Sequence, residues 1–250
     1  MIYKKVIPGS TSRLTIVDHN ESYGRHILDS IVRRLQVSKC LDIGCGRGDD
    51  LNIVRKHHQE AQLFGVDFGL WNKDTLEGLG IKVIALDIEK EKLPFEDESL
   101  DLIIVNQVLE HTKEIFWINH EIFRCLKQGG HIFIGVPNIL SLHNRILMLL
   151  GFHPTGNKST SAHVRVFSKR DVKAFYRNIG GAYCRVVNAY GSQFYPFPRF
   201  IARPLAKLFP GLAFSSFYLI KKIAKYTEEF IEWPQYADLE TKYFTGISPK

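Results

Sequence analysis

Apolar residues in this chain fall into two alternating patterns: short runs that stop at an acidic or amide residue, and longer stretches with apolar positions three or four apart. The short runs predict buried strands at 40–43, 62–67, 81–87, 100–106 and 131–136, ending in or just before Gly44, Asp67, Asp87, Asn106 and Pro137. The longer stretches predict helices at 20–35, with Ile27, Ile31 and Leu35 on one face, at 51–58, and at 113–127, with Ile115, Ile118, Ile122 and Leu126 inward. Gly129 and Gly130 are expected to stop the last of these. Runs at 183–189 and 216–221 read as two further strands, with a helix at 168–178 before them. Strands alternating with helices predict a single α/β domain spanning residues 1–250 with a largely parallel sheet.

Chemistry enters at the first strand end. In Cys40-Leu41-Asp42-Ile43-Gly44-Cys45-Gly46-Arg47-Gly48-Asp49-Asp50, three glycines stand where a strand must turn sharply and let a ligand approach backbone. A nucleotide-like ligand is expected against this turn and the following helix start. The dinucleotide fingerprint G-x-G-x-x-G is not met, because Asp49 stands where the third glycine belongs. Asp67 can accept from ribose hydroxyls, and Asp87 and Asn106 fall at the same carboxyl edge, where open α/β sheets bind ligands.

LDIGCGRG at 41–48, GVDFG at 65–69, DIEKEKLPFEDESLDLIIVNQVLEH at 87–111 and EIFRCLKQGGHIFIGVPN at 121–138 together resemble the class I S-adenosylmethionine-dependent methyltransferases, among them ubiquinone-pathway and sugar O-methyltransferases. The resemblance covers roughly residues 20–190. It implies a Rossmann-like seven-stranded, mostly parallel sheet flanked by helices, the runs at 183–189 and 216–221 completing the seven, with a small helical substrate cap. Carried over residue by residue, it implies that Gly44, Cys45 and Gly46 meet the methionine part of S-adenosylmethionine, with Asp42 in the same motif. Asp67, with Phe68 beside it, would serve the ribose, Asp87 and Ile88 the adenine, and Asn106 and Gln107 the sulfonium end. Tyr23 and Arg25, on the first helix, are those that could reach the methionine carboxylate or the substrate.

Two insertions, 137–167 and 192–213, are read as the substrate cap. A connection as long as the first is more often functional than idle. Within it, His163-x-Arg165-x-Phe167 places three side chains on one face if extended. Methyl transfer needs donor and acceptor aligned and water excluded, and a hydroxyl acceptor gains from a base near neutral pH. His111 and His163 are the expected candidates, with Glu110 a weaker third. No metal is expected: His57 and His58 are helix neighbours facing apart, and His120-Glu121 lacks the second histidine of a zinc helix.

A hydrophobic content of 45% can bury one sizeable core, and the net charge of +7 comes from basic residues dispersed rather than striped. Nucleic acid is therefore not an expected partner. The expected substrate is a small molecule or glycan, for a monomer or homodimer. Four cysteines without a C-x-x-C pair suggest reduced, buried thiols and a cytoplasmic protein. Residues 1–8 hold too short an apolar run for a signal peptide. Aromatic and basic residues interleaved with prolines at 194–210 leave a peripheral membrane contact open beside a lid or dimer surface, and residues 223–250 fit no part of the pattern. The alternatives are an NAD(P)-dependent oxidoreductase and a non-catalytic cofactor-binding relative.

Overall fold

The computed structural model describes residues 19–246. Residues 1–8, read above for a leader, lie outside these. The chain runs through α1 (His19–Ser22), α2 (Arg25–Val32), β1 (Lys39–Ile43), α3 (Asp49–His57), β2 (Gln62–Asp67), α4 (Lys73–Gly78), β3 (Ile81–Ala85) and β4 (Leu100–Asn106). A 3-10 turn, Leu109–His111, leads to α5 (Ile115–Cys125), β5 (Leu126–Pro137), α6 (Leu142–Leu149), α7 (Lys169–Gly180), β6 (Cys184–Ser192), α8 (Arg199–Leu208), β7 (Ser215–Lys222) and α9 (Glu229–Tyr236). The seven strands form one sheet ordered β3-β2-β1-β4-β5-β7-β6, parallel except for β7, which runs antiparallel to both of its neighbours. This is the Rossmann-like sheet the sequence predicts. Its central strands are apolar on both faces, as a sheet covered by helices on each side requires.

Several boundaries differ from the sequence reading, each for a local reason. The helix expected at 20–35 is two helices, because Gly24 takes φ +58° and a Cβ there would stand 2.4 Å from the Phe217 ring. The helix expected to run to Lys127 stops at Cys125, where Leu126 turns extended and opens β5. The buried Lys222 ammonium holds that end by donating to the carbonyls of Phe123 at 2.9 Å and Leu126 at 2.8 Å. Gly129 and Gly130 therefore lie within the first part of β5 rather than stopping α5.

The unassigned tail carries core structure. Helix α9 packs on α5 and α7, and Phe230 is fully buried in an aromatic cluster with Phe123, Phe175, Tyr176, Tyr183 and Tyr226. The two insertions leave the sheet at the edge where β4 and β5 end, and they are joined there. Asn138 donates from its backbone to the Phe214 carbonyl and from its side chain to the carbonyls of Gly211 and Ala213. Helix α8 turns Ala202 and Ala206 inward and leaves Phe200 and Leu208 exposed. No helix among the described residues is long and apolar enough to cross a membrane.

Candidate active site

The turn after β1 is built to leave one wall of a cleft without bulk. Gly44, at φ +74°, lies against Val108, whose Cγ2 would come within 2.5 Å of any Cβ there. The turn's amides are already used: Gly44 and Cys45 donate to the Val66 carbonyl at 2.7 and 3.2 Å, and Gly46 donates to Asp67 Oδ2 at 2.9 Å. Asn72 ties the loop after β2 to the same turn through the Gly46 carbonyl. The Cys45 side chain points away from the cleft against Gly65, and burial pushes its thiol up to about 12, so only its backbone is presented.

The cleft has a volume of 410 Å³ and a floor of carboxyl groups, Asp42, Asp49 and Asp50. Burial, and then repulsion from Asp50 and Asp67, hold the Asp42 carboxyl well above the usual carboxylate range. Burial also raises Asp50, opposed by its bonds to Asn106 at 2.7 Å and Arg25 at 3.1 Å. Asn106 completes the wall by donating to the Tyr23 carbonyl, which fixes the segment between α1 and α2 over the end of β4. One residue later, Gln107 takes φ +59° and leaves its buried Nε2 without a hydrogen-bond partner. Three carboxyl groups beside Arg25 and Arg47 leave the cleft able to meet a ligand whose reactive end is cationic.

A second group of side chains stands just beyond, on the 3-10 turn that follows β4. The returning segment of the first insertion lies on that turn: Val164 and Arg165 both donate backbone bonds to the Glu110 carbonyl, and the Arg165 guanidinium donates to the carbonyls of Thr112 and Lys113. Along it, residues 163, 165 and 167 are less exposed than 162, 164 and 166, as the alternating pattern predicts. This brings Glu110, His111 and His163 together with potential ligand atoms within 4.8 Å of one another. The two imidazoles meet edge to face at 4.8 Å. His111 Nδ1 lies 3.2 Å from the Ala162 carbonyl, an acceptor only, so the ring proton belongs on Nδ1 and the Nε2 lone pair is free. That Nε2 is 3.9 Å from Glu110 Oε1. The Glu110 side chain is buried, which pushes its carboxyl up to about 7, and its Oε2 has no hydrogen-bond partner. Burial, and then the neighbouring His111, hold His163 below the usual imidazole range.

Residues 41–134, which carry the glycine turn and the 3-10 turn, match the family model described as "Methyltransferase domain". Over these residues the chain is similar to the class I S-adenosylmethionine-dependent methyltransferases. An uncharacterised protein of Methanocaldococcus jannaschii is 33% identical to it over 122 residues, 48% of this chain and 54% of the relative. A protein of Mycolicibacterium smegmatis named as a probable S-adenosylmethionine-dependent methyltransferase is 24% identical over 140 residues, 54% of this chain and 50% of the relative. The chain thus spans about half the length of these curated relatives. A crystal structure of an S-adenosylmethionine-dependent methyltransferase from Archaeoglobus fulgidus superimposes with a TM-score of 0.56 at 19% identity, covering 82% of this chain and 98% of that one.

Tyr23, Asp42, Gly44, Cys45, Gly46 and Asn106 line one cleft, with Arg25 among them and Asp67 bonded to its rim. Phe68, Asp87, Ile88 and Gln107 do not line it. Phe68 projects into solvent, and the Asp87 carboxyl is engaged by the Glu89 amide at 3.1 Å and Lys90 at 2.7 Å. Sequence reasoning passed over Asp49 and Asp50. Their place in the first turn after the glycines reads as ordinary helix-start acid, and only the fold sets Asp50 against Asn106, 56 residues on.

Proposed function

We propose that the chain transfers a methyl group from S-adenosylmethionine to a hydroxyl oxygen of a small molecule or glycan. The observation that carries this reading is the pairing of a carboxyl-lined cleft with a histidine whose lone pair is already set, both at the carboxyl edge of the sheet. S-adenosylmethionine, when bound, supplies an electrophilic methyl group on a positively charged sulfur. The residues present fit it: Asp42 can ionise beside a bound cation, Asp49 and Asp50 stand next to it in ion pairs with Arg25 and Arg47, Asp67 accepts from ribose hydroxyls at the rim, and Gln107 has a spare donor at the strand end. Asp87 can take the adenine amino group if the exposed Lys90 swings away.

His111 Nε2 is the acceptor for the proton leaving the substrate hydroxyl, with Glu110 beside it to balance the imidazolium that results. His163 closes the other side of the same space. A cavity of 360 Å³ opens next to Leu109, lined by Val136, Val164, Phe167 and Phe175 with Arg165 and Asp171 among them, and suits the non-reacting part of the acceptor. Substrate class and oxygen as the target rest on this geometry.

Calorimetric titration with S-adenosylmethionine and S-adenosylhomocysteine tests the reading. Micromolar binding is expected, weakened at least tenfold in Asp67→Ala. A fluorescence change with reduced nicotinamide cofactor, and no binding of either S-adenosyl compound by folded protein, would sink it. Turnover of any accepted hydroxyl compound excludes a non-catalytic relative.

A further inference from the structure

Glu110 presents a puzzle that methyl transfer alone does not resolve. Its side chain is 2% exposed, and Oε2 has neither a donor from the chain nor access to water. A buried polar group without a partner costs free energy, so such a group usually marks where something else binds. Two more electron-pair donors face the same space. His111 has its proton held on Nδ1 by the Ala162 carbonyl, the arrangement in which metal-ligating histidines are oriented by an acceptor on the far ring nitrogen. His163 is fixed in place by the backbone bonds of Val164 and Arg165 to Glu110 and by the loop at Gly156 that packs against its ring.

We propose that Glu110, His111 and His163 form a binding site for one divalent transition-metal cation of the Zn²⁺ or Mn²⁺ class. Two imidazoles and one carboxylate suit such ions better than Mg²⁺ or Ca²⁺, which prefer all-oxygen surroundings. Ligand atoms around a tetrahedral ion with bonds of about 2.0–2.1 Å stand roughly 3.3 Å apart. The present spacings, 3.9 Å for His111 Nε2 to Glu110 Oε1 and at most 4.8 Å within the trio, close to that by side-chain rotation. His111 is exposed, which leaves an entry path and open coordination positions for oxygen ligands. The ion gives the Glu110 carboxylate the partner it lacks. The site stands on these three side chains alone. Its use rests on the methyl-transfer reading: the ion would hold the acceptor hydroxyl and lower its pKa so that its proton passes to bulk water, and His111 would take the proton only in the ion-free protein.

The test is equilibrium dialysis and calorimetry of chelator-treated, tag-free protein with ZnCl₂, MnCl₂ and MgCl₂. Wild type should bind one equivalent of Zn²⁺ or Mn²⁺, with affinity at least tenfold lower in Glu110→Gln, His111→Ala and His163→Ala and unchanged in His143→Ala, whose ring lies outside the trio. Co²⁺ loading should give visible absorption in wild type that disappears in His163→Ala. Thermal unfolding confirms that each variant is folded, and Glu110→Gln keeps the size of the side chain. Folded wild type that binds no stoichiometric ion, or binds it equally in all three trio variants, overturns the proposal. S-adenosylhomocysteine binding is measured on the same samples. Retained cofactor binding without the ion removes the cation site alone, whereas an ion bound without cofactor affinity leaves the site and removes the methyl-transfer reading.

Discussion

Asp42 shows how a single side chain can be costly to the fold and useful to the site. It is 3% exposed and faces Asp50 and Asp67, so the folded chain resists ionising it. A carboxyl whose folded pKa is raised keeps its proton on folding while the unfolded chain releases it. Stability therefore falls as pH rises from the ordinary value of 3.8 toward the folded one. Asp42→Asn removes this titration, so its Tm should exceed that of wild type without ligand, by a margin that grows as pH rises above 3.8. The same change should weaken binding of the positively charged S-adenosylmethionine by about tenfold, or roughly 1.4 kcal/mol, and that of S-adenosylhomocysteine by less, which calorimetry reads directly. A margin that does not change with pH would mean that Asp42 is ionised in the folded chain. At this scale the sequence was most legible where the cause is local. Gly44 and Asp67 could be placed from the residues beside them. The pairing of Asp50 with Asn106 and the meeting of His163 with Glu110 depend on segments more than fifty residues apart, and no spacing rule reveals them.

Among the elements, those with a clear apolar period were legible and those held by tertiary contacts were not. Strands β2 and β4 lie where the apolar runs place them. The first helix broke because Gly24 must clear Phe217, a residue of β7 nearly two hundred positions later. Helix α9 was illegible for a different reason: EFIEWPQY is short, carries Pro234 inside it and shows no sustained period, yet its Phe230 fills the centre of an aromatic cluster. Phe230→Ala should therefore destabilise the chain by about 3–5 kcal/mol, measured by urea unfolding. A loss below 1 kcal/mol would mean that α9 is an ornament on a domain complete without it. Helix α8 is amphipathic in the opposite sense to a core helix, with small residues inward and Phe200 and Leu208 outward, which its composition alone could not show.

At the scale of the molecule, a seven-stranded, mostly parallel sheet and the likeness to methyltransferases were readable because strand ends, glycine turn and acidic positions repeat a consistent pattern, whereas the strand order and the joining of the two insertions by Asn138 were not. The cleft and the second insertion are also joined from the other side. Buried Glu21, at the end of α1, accepts from Arg203 at 2.6 Å and from Arg199 at 3.1 Å, both on α8, and two residues on the Tyr23 carbonyl is held by Asn106 at the cleft. Saturation with S-adenosylhomocysteine should slow amide hydrogen exchange across residues 199–208 in wild type. The slowing should be lost in Glu21→Gln, and equal protection in both proteins would show that the two regions respond independently.

Joined in this way, the two binding events share a free energy. Whatever factor the donor adds to the affinity for the acceptor, the acceptor must return to the donor, since linkage at equilibrium is reciprocal. In the proposed reaction, loss of the methyl group would remove the positive charge that faces the carboxyl groups of the cleft. The spent cofactor is thus the weaker ligand for this floor, and a loosened hold on α1 releases α8 and the cap with it. Product departure from both halves of the site would then be driven by the same change of charge.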